Sequence, residues 1–427
     1  MKRLRFSLLI IYVWLAASVC ASALVVGADS IATGELGLEV EAFTFFKDNE
    51  FEGEQSKGYS LPGLWLQPRL TYRPISAIDL EAGFHAAIFD GANKYPCYVY
   101  HDIGTWKGNQ YQRGAHVLPF FRATARLKAC TFVLGDLYGA SRHGVVEPLF
   151  NPELDLTQDP EMGLQLMVNL PRYRLDAWVN WQSYIFEEDT HQEAFTVGFS
   201  QRIALNSSTR PLGAKRRFFE RSESEELSTV NWYVPVDILV QHRGGEQDIT
   251  DLGVQTLCNG AAGLGMRWNS GGRVLQGISA ELLGLFAWQQ SGQLWPFDTG
   301  GGVSLSMKAD MWKELRLFGG FTYVKDFVSL YGVPFYSTIS QKHGGRFNYM
   351  MAPHIGVEWS HTFARSYVLG AKVDVYPCSA GKLTRMVTDP QTAQPVPVTE
   401  PAAFSNNFSF GVYLRCVPRF ILKHGVR

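Results

Sequence analysis

Ser141 and His143 stand two residues apart in a segment punctuated by Gly and Pro, and carboxylates follow at Glu147, Glu153, Asp155, Asp159 and Glu161. A hydroxyl and an imidazole are what a nucleophile–base pair requires, and clustered carboxylates are what Ca²⁺ takes, because a hard cation prefers oxygen ligands. Neither pattern completes itself in the sequence. Two positions apart in a loop does not aim a hydroxyl at an imidazole, no Gly-x-Ser-x-Gly elbow surrounds Ser141, and the carboxylate spacing is not that of an EF-hand. These residues therefore predict no catalytic centre, no metal and no cofactor. Gly139, Gly144, Pro148, Pro152 and Pro160 instead give the stretch a defined conformation. With Tyr138, His143 and the five carboxylates, it reads as a loop that folds inward as a constriction or plug.

A second constellation is Asp176, Trp178, Asn180, Gln182 and Tyr184, all on one face of an alternating segment from Arg174 to Phe186. Rings among amide and acid groups are what stacking and hydrogen bonding to a sugar require, so one reading is a solute track. The other is that Trp and Tyr mark a membrane interface, which suits Trp181 on the opposite face. A third pattern is charge: Glu39 and Glu41, then Arg69 and Arg73, then Asp79 and Glu81, then Arg122, Arg126 and Lys128. The sign reverses from one segment to the next. Either neighbouring rows pair into an ion-pair lattice, or acids face bases across an open pore as a selectivity field.

These residues need strands to position them. Phe120–Lys128 sets Arg122, Thr124, Arg126 and Lys128 on one face and Phe121, Ala123, Ala125 and Leu127 on the other, the period of two of a strand with one wet and one apolar side. The same alternation recurs in Gly37–Phe45, Leu66–Arg73, Ile78–Ile88, Ala194–Ile203, Trp232–Gln241, Ile355–Ser360, Leu369–Val375 and Phe408–Val417. Connections alternate in length too. Short ones, such as Pro74–Ser76, Lys128–Ala129, Pro171–Tyr173 and Phe363–Ser366, separate long ones at Lys47–Ser60, Gly91–Ala115, Gly139–Glu161, Val328–Arg346 and Pro377–Ala403. One segment breaks the rule: Asn206–Ser228 is long and charged, yet parity puts it on the short side.

Lys2, Arg3 and Arg5, the apolar run Phe6–Ala17 and Ala21-Ser22-Ala23 read as a secretory signal peptide, residues 1–23, cleaved after Ala23. The run falls short of the roughly 20 residues a spanning helix needs. The mature chain, residues 24–427, then reads as one all-β domain: a transmembrane antiparallel up-and-down β-barrel of about sixteen strands, within a range of about fourteen to eighteen. Export signal, alternating strands and alternating loop lengths resemble the Gram-negative outer-membrane β-barrel proteins, porin-like in size. That resemblance implies a location in the cell outer membrane and contact with lipid bilayer, lipopolysaccharide and the outer-membrane assembly machinery. Such barrels commonly end on an aromatic residue; here Ile421–Arg427 follow Phe420, a departure.

A net charge of −1 gives no hint of a nucleic-acid or polyanion partner, and no nucleic acid is expected. The scattered cysteines show no metal-ligand spacing; Cys97 and Cys378, both in loop-like stretches, are a candidate pair in an oxidising compartment. About sixteen strands leave an aqueous channel unless loops fill it. The first expected function is thus a porin-like channel for passive diffusion of small hydrophilic solutes, not an enzyme. The alternative is a closed barrel acting as a surface scaffold for capsule or polysaccharide. An outer-membrane enzyme acting on lipid or protein would need a Ser/His/carboxylate set near the lipid-facing rim or pore mouth, and the sequence shows none. A secreted soluble all-β protein is the fourth reading, disfavoured by the apolar second face of nearly every strand.

Overall fold

The computed structural model describes residues 31–89, 114–186, 191–206, 229–245, 253–270, 272–312, 314–363, 366–389 and 391–423. The segment read as a signal peptide, Cys97 and most of Asn206–Ser228 and Gly91–Ala115 lie outside them. Strands are numbered in chain order. β1 (Leu36–Phe51), β2 (Tyr59–Ile75), β3 (Ile78–Phe89) and β4 (Gly114–Leu127) precede a short pair, β5 (Cys130–Asp136) and β6 (Met162–Asn169). Then come β7 (Tyr173–Ser183), β8 (Ala194–Ala204), β9 (Thr229–Arg243), β10 (Gln255–Asn269), β11 (Leu275–Ser291), β12 (Thr299–Met311) and β13 (Leu315–Lys325). β14 (Arg346–Phe347) is brief. β15 (Met350–Phe363), β16 (Tyr367–Cys378), β17 (Lys382–Thr388), β18 (Pro395–Pro401), β19 (Ser405–Cys416) and β20 (Arg419–Lys423) complete the chain.

Each barrel strand pairs antiparallel with its neighbours, and β1 closes the ring by pairing with both β19 and β20. β19 and β20 are two segments of one stave. Pro418 has no N–H to continue the ladder, but its carbonyl still accepts from Val40 N at 3.0 Å. The result is a closed antiparallel barrel of sixteen staves, as the alternation predicts. β14, β17 and β18 form a separate three-stranded sheet on the long-loop side.

The burial pattern is inverted relative to a soluble sandwich. Glu39, Glu41, Arg69, Arg122, Asp237 and Asp374 are buried, while Leu70, Phe121, Leu164, Ile238, Leu282 and Ile355 are exposed. Every backbone ladder is satisfied by a neighbour and the ring has no free edge, so the apolar outer surface can meet lipid tails. The chain is an outer-membrane β-barrel. No helix among the described residues is long and apolar enough to cross a membrane; the strands do the crossing.

Several expected boundaries shift. β1 and β2 run on into the stretch read as the loop Lys47–Ser60, leaving only residues 52–58 between them. The alternation there continues through polar Asp48 and Asn49, which hides the strand from an apolar pattern. Pro377–Ala403 holds the β17–β18 hairpin. Lys128 is not part of a strand row: β4 ends at Leu127, and Lys128 is an exposed turn residue with φ 41°.

Candidate functional site

Inside the ring, opposite charges meet across adjacent staves. Glu39 lies directly opposite Arg69, and Glu81 opposite Arg122. Arg69 reaches Glu39, Glu41 at 3.3 Å and Glu81 at 3.6 Å, while Arg122 donates to Glu81 at 3.0 Å. Arg73 and Arg126 both pair with Asp79. Three further bases that the sequence pattern omitted join them. Ring closure brings Arg415, which donates to Glu41 at 3.0 Å, and Arg419, which pairs with Glu39; the segment between β5 and β6 brings Arg142, which donates to Glu41 at 3.0 Å. Eight of the nine charges singled out in the sequence thus pair with opposite charges, in two clusters: Glu39, Glu41, Arg69, Glu81 and Arg122 in one, and Arg73, Asp79 and Arg126 in the other. Desolvating so many ions is tolerable only because each is paired with excellent proximity.

The segment between β5 and β6 leaves the wall and crosses the interior. Tyr138 lies under the Arg122 guanidinium, 4.0 Å from its ring centre, a cation–π contact. Gly144 O accepts from Arg202 on β8 at 3.1 Å, and Val146 N donates to Asp237 on β9 at 3.2 Å. At its far end Glu153 accepts from Asn49 on β1 at 3.1 Å and from the Tyr59 hydroxyl on β2, with Lys47 at 3.9 Å. Glu147 and Asp159 lie in the same crossing. Burial pushes the Glu153 carboxyl up despite Lys47 and Asn49, and pushes Asp155 up to about 6 despite its bonds from Ser141.

Ser141 and His143 do not meet as nucleophile and base. Ser141 donates through its hydroxyl and, at 3.0 Å, its backbone N–H to Asp155. His143 is fully buried, with Nε2 2.8 Å from Glu161 and Nδ1 3.1 Å from Asp176. Burial opposes its charge, but the two carboxylates outweigh that and raise its pKa above the ordinary value. Its ring stacks flat on Trp178, centroids 3.5 Å apart and planes within 4°. The carboxylates of this segment diverge to separate partners, and no group of three His, Cys, Asp or Glu among the described residues is placed to hold a metal ion.

The row on β7 is largely covered by protein. Asp176 also accepts from Gln165 at 2.8 Å, Asn180 accepts from Met162 N at 3.1 Å, and Gln182 donates to the Tyr331 hydroxyl. Tyr184 stands past the strand end, 65% exposed, edge-on to Phe186.

Tyr331 belongs to a second inward segment, residues 326–349, which sequence reading left as an outer loop. Its carbonyl accepts from Asn151 N at 2.6 Å, Val333 N donates to Glu147 O at 3.1 Å, and the Ser329 hydroxyl donates to Leu149 O at 3.0 Å. Phe327, Val328, Phe335 and Ile339 are buried with Leu149, Phe150 and Leu154 in a core inside the barrel. The signal was present: an apolar run from Phe327 to Ile339 is unusual for a solvated loop. Beside these segments a cavity of about 860 Å³ remains, bordered by His354, Lys372 and Asp374 of β15 and β16. His354 and Lys372 reach Asp374 at 2.9 and 3.1 Å.

A family model described as lipid A 3'-O-deacylase-type matches residues 28–425. A search of curated protein sequences finds no match. Among solved structures, OccAB4 of Acinetobacter baumannii aligns over 91% of this chain and 99% of its own, at 10% identity and a TM-score of 0.48. OmpT, an outer membrane protein of Vibrio cholerae in trimer form, aligns over 89% and 99%, at 11% identity and a TM-score of 0.45. OccK1 (OpdK) of Pseudomonas aeruginosa aligns over 91% and 99%, at 11% and 0.45. The family match corrects the expectation that the chain is not an enzyme, since the matched family carries a deacylase description. The expectation rested on finding no Ser/His/carboxylate set for the rim or pore mouth in the sequence, where side chains that meet across neighbouring strands are far apart.

Proposed function

The chain belongs to the lipid A 3'-O-deacylase-type family, and on that premise we propose that it is an outer-membrane hydrolase that removes an ester-linked acyl chain from a lipid A-type glycolipid. The carrying observation is the extent of the match, which takes in every stave of the barrel. Physical chemistry supports the same reading. An acyl ester of the outer leaflet is reached from the lipid-facing wall, and this barrel presents a continuous apolar wall to that leaflet. The test is direct: the full chain in detergent–lipid micelles is incubated with a lipid A-type glycolipid, and the lipid is weighed by mass spectrometry. Loss of the mass of one ester-linked acyl chain, with the free fatty acid recovered, is expected. A glycolipid of unchanged mass would overturn the reading.

A second reading, passive diffusion of small hydrophilic solutes, is favoured by one observation, the cavity of about 860 Å³ with charged residues on its walls. Planar-bilayer conductance separates the two.

A further inference from the structure

Five staves carry, at their long-loop ends, a row that faces away from the lumen. Trp181 on β7 lies opposite Phe195 on β8, Phe195 opposite His242 on β9, His242 opposite Thr256 on β10, and Thr256 opposite Ser291 on β11. His242 ends the outward series Trp232, Val234, Val236, Ile238, Val240, which alternates with buried Asp237, Leu239 and Gln241. Thr256 likewise alternates with buried Leu257 and Asn259. Ser291 shares the parity of buried Gln289 and would point inward. A register shift between Thr256 and Leu257 pairs Leu257 with Gln289 but Thr256 with Ser291, and so turns the serine outward. Re-aiming one side chain is what a bulge does at a site, and it is conspicuous on a face otherwise given to lipid.

The hydrogen bonds fix the proton positions. His242 Nε2 lies 2.9 Å from Gly244 O, and a carbonyl can only accept, so Nε2 carries the proton. In the neutral ring Nδ1 is then the acceptor, and Thr256 Oγ1, 2.9 Å away, donates to it. The Ser291 hydroxyl donates to Thr256 Oγ1 at 2.9 Å, which occupies a lone pair and leaves the threonine proton for the imidazole. This is the order nucleophile, base, orienting group. Phe195 stacks on His242 at 4.8 Å and Trp181 on Phe195 at 5.0 Å, which holds the imidazole plane on one side. On the other side exposed Phe286 and Trp288 of β11 offer apolar surface for an acyl chain. Long loops of such barrels face outside the cell, so the row lies at the depth of the outer-leaflet headgroups.

We propose that Thr256, His242 and Ser291 form an ester-cleaving site on the lipid-facing wall, acting on acyl esters of outer-leaflet glycolipids. The substrate class rests on the deacylase reading above; the site itself rests on the geometry. Thr256 Oγ1 attacks the ester carbonyl carbon and its proton passes to His242 Nδ1. The bond from that carbon to the sugar oxygen breaks, and the oxygen takes the proton from Nδ1 and leaves as an alcohol. A water then gives one proton to Nδ1 and attacks the acyl–threonine carbon. Thr256 regains that proton, and the chain departs as a fatty acid. One ester and one water become one alcohol and one acid.

Two measurements test this with the full chain in detergent micelles. A lipophilic fluorophosphonate is allowed to react and its adduct is mapped by tandem mass spectrometry. The adduct is expected on Thr256, retained on the residue in Thr256→Ser, and lost in His242→Ala whose heat-modifiable gel mobility shows a folded barrel. Absence of an adduct at Thr256 overturns the site, whatever the natural substrate. In parallel, acyl release from a lipid A-type glycolipid should fall about 10²-fold or more in His242→Ala and Thr256→Ala, the usual scale of lost acid–base or nucleophilic catalysis. Wild-type release matched by both variants sinks the site and leaves the deacylase reading standing. Labelled Thr256 with no wild-type release sinks the substrate and leaves the site.

Discussion

Glu41 and Arg69 are the two hubs of the larger charge cluster, each meeting three opposite charges. Glu41 is 1% exposed and receives Arg69, Arg142 and Arg415, one from an adjacent stave, one from the inward segment and one from the closing stave. Removing the carboxylate takes a partner from buried Arg69, from the largely buried Arg415 and from the partly exposed Arg142, and truncating one partner of a buried pair costs about 3–5 kcal/mol. Glu41→Ala should therefore lower the temperature at which the heat-modifiable band is lost on gels, and Glu41→Gln, which keeps one acceptor oxygen, should fall between. An unchanged midpoint in Glu41→Ala would show the network to be energetically neutral. Gly198 is a steric counterpart. It lies opposite Trp178, and a Cβ there would collide with indole carbons Cζ2 and Cε2, on the ring that His143 stacks against. Gly198→Ala must displace the indole, and overpacking of this kind costs about 1–3 kcal/mol. Tryptophan fluorescence should shift with the lost stack; a spectrum and midpoint equal to wild type would refute the contact.

At the scale of elements, the crossing segment from Leu137 to Glu161 is held by groups whose protonation matters. Burial raises the Asp155 carboxyl from 3.8 to about 6, so the folded segment binds more protons than the unfolded one across that window, and its stability falls as pH rises through it. His143 is raised above its ordinary 6.5, its two carboxylate partners outweighing burial. Its contribution is complete below the unfolded value and is lost as pH rises through the folded one. Both groups act in the same direction, so the segment should be docked more firmly in mild acid. Amide hydrogen exchange of residues 137–161, corrected for its intrinsic pH dependence, should show protection falling as pH rises from 3.8 through about 6, the Asp155 window, and falling further above 6.5 as His143 loses its proton. Flat protection over that range would mean that neither group's titration is felt by the fold. His143→Phe, which keeps the aromatic stack, should remove part of the slope.

For the molecule as a whole, a ring of sixteen staves is wide enough for an aqueous channel, yet two segments dock within it and pack a shared apolar core. If they form the barrier, the intact chain conducts weakly in a planar bilayer, and deleting Gly139–Asp159 raises single-channel conductance several-fold. Conductance equal in both forms would place the barrier elsewhere. Strand period, stave number and the sign of each luminal row were legible in the sequence. They follow from pleat geometry and side-chain type, which act between residues two apart or on adjacent strands. Glu39 with Arg69 and Glu81 with Arg122 could be read that way. Arg415 on Glu41 could not, because 374 residues separate them and only ring closure makes them neighbours. Arg142 on Glu41, His143 between Glu161 and Asp176, and Tyr331 on Gln182 depend on segments turning inward, a choice made by burial of Leu149, Phe327 and Phe335 against one another. Ser291 beside Thr256 depends on one register shift that reverses a parity the sequence would assign to the lumen. The sequence by itself determined the wall and its two faces, because alternation is a local property of a strand. Only the tertiary structure decided which groups meet, because closure, inward docking and register join residues far apart in the chain.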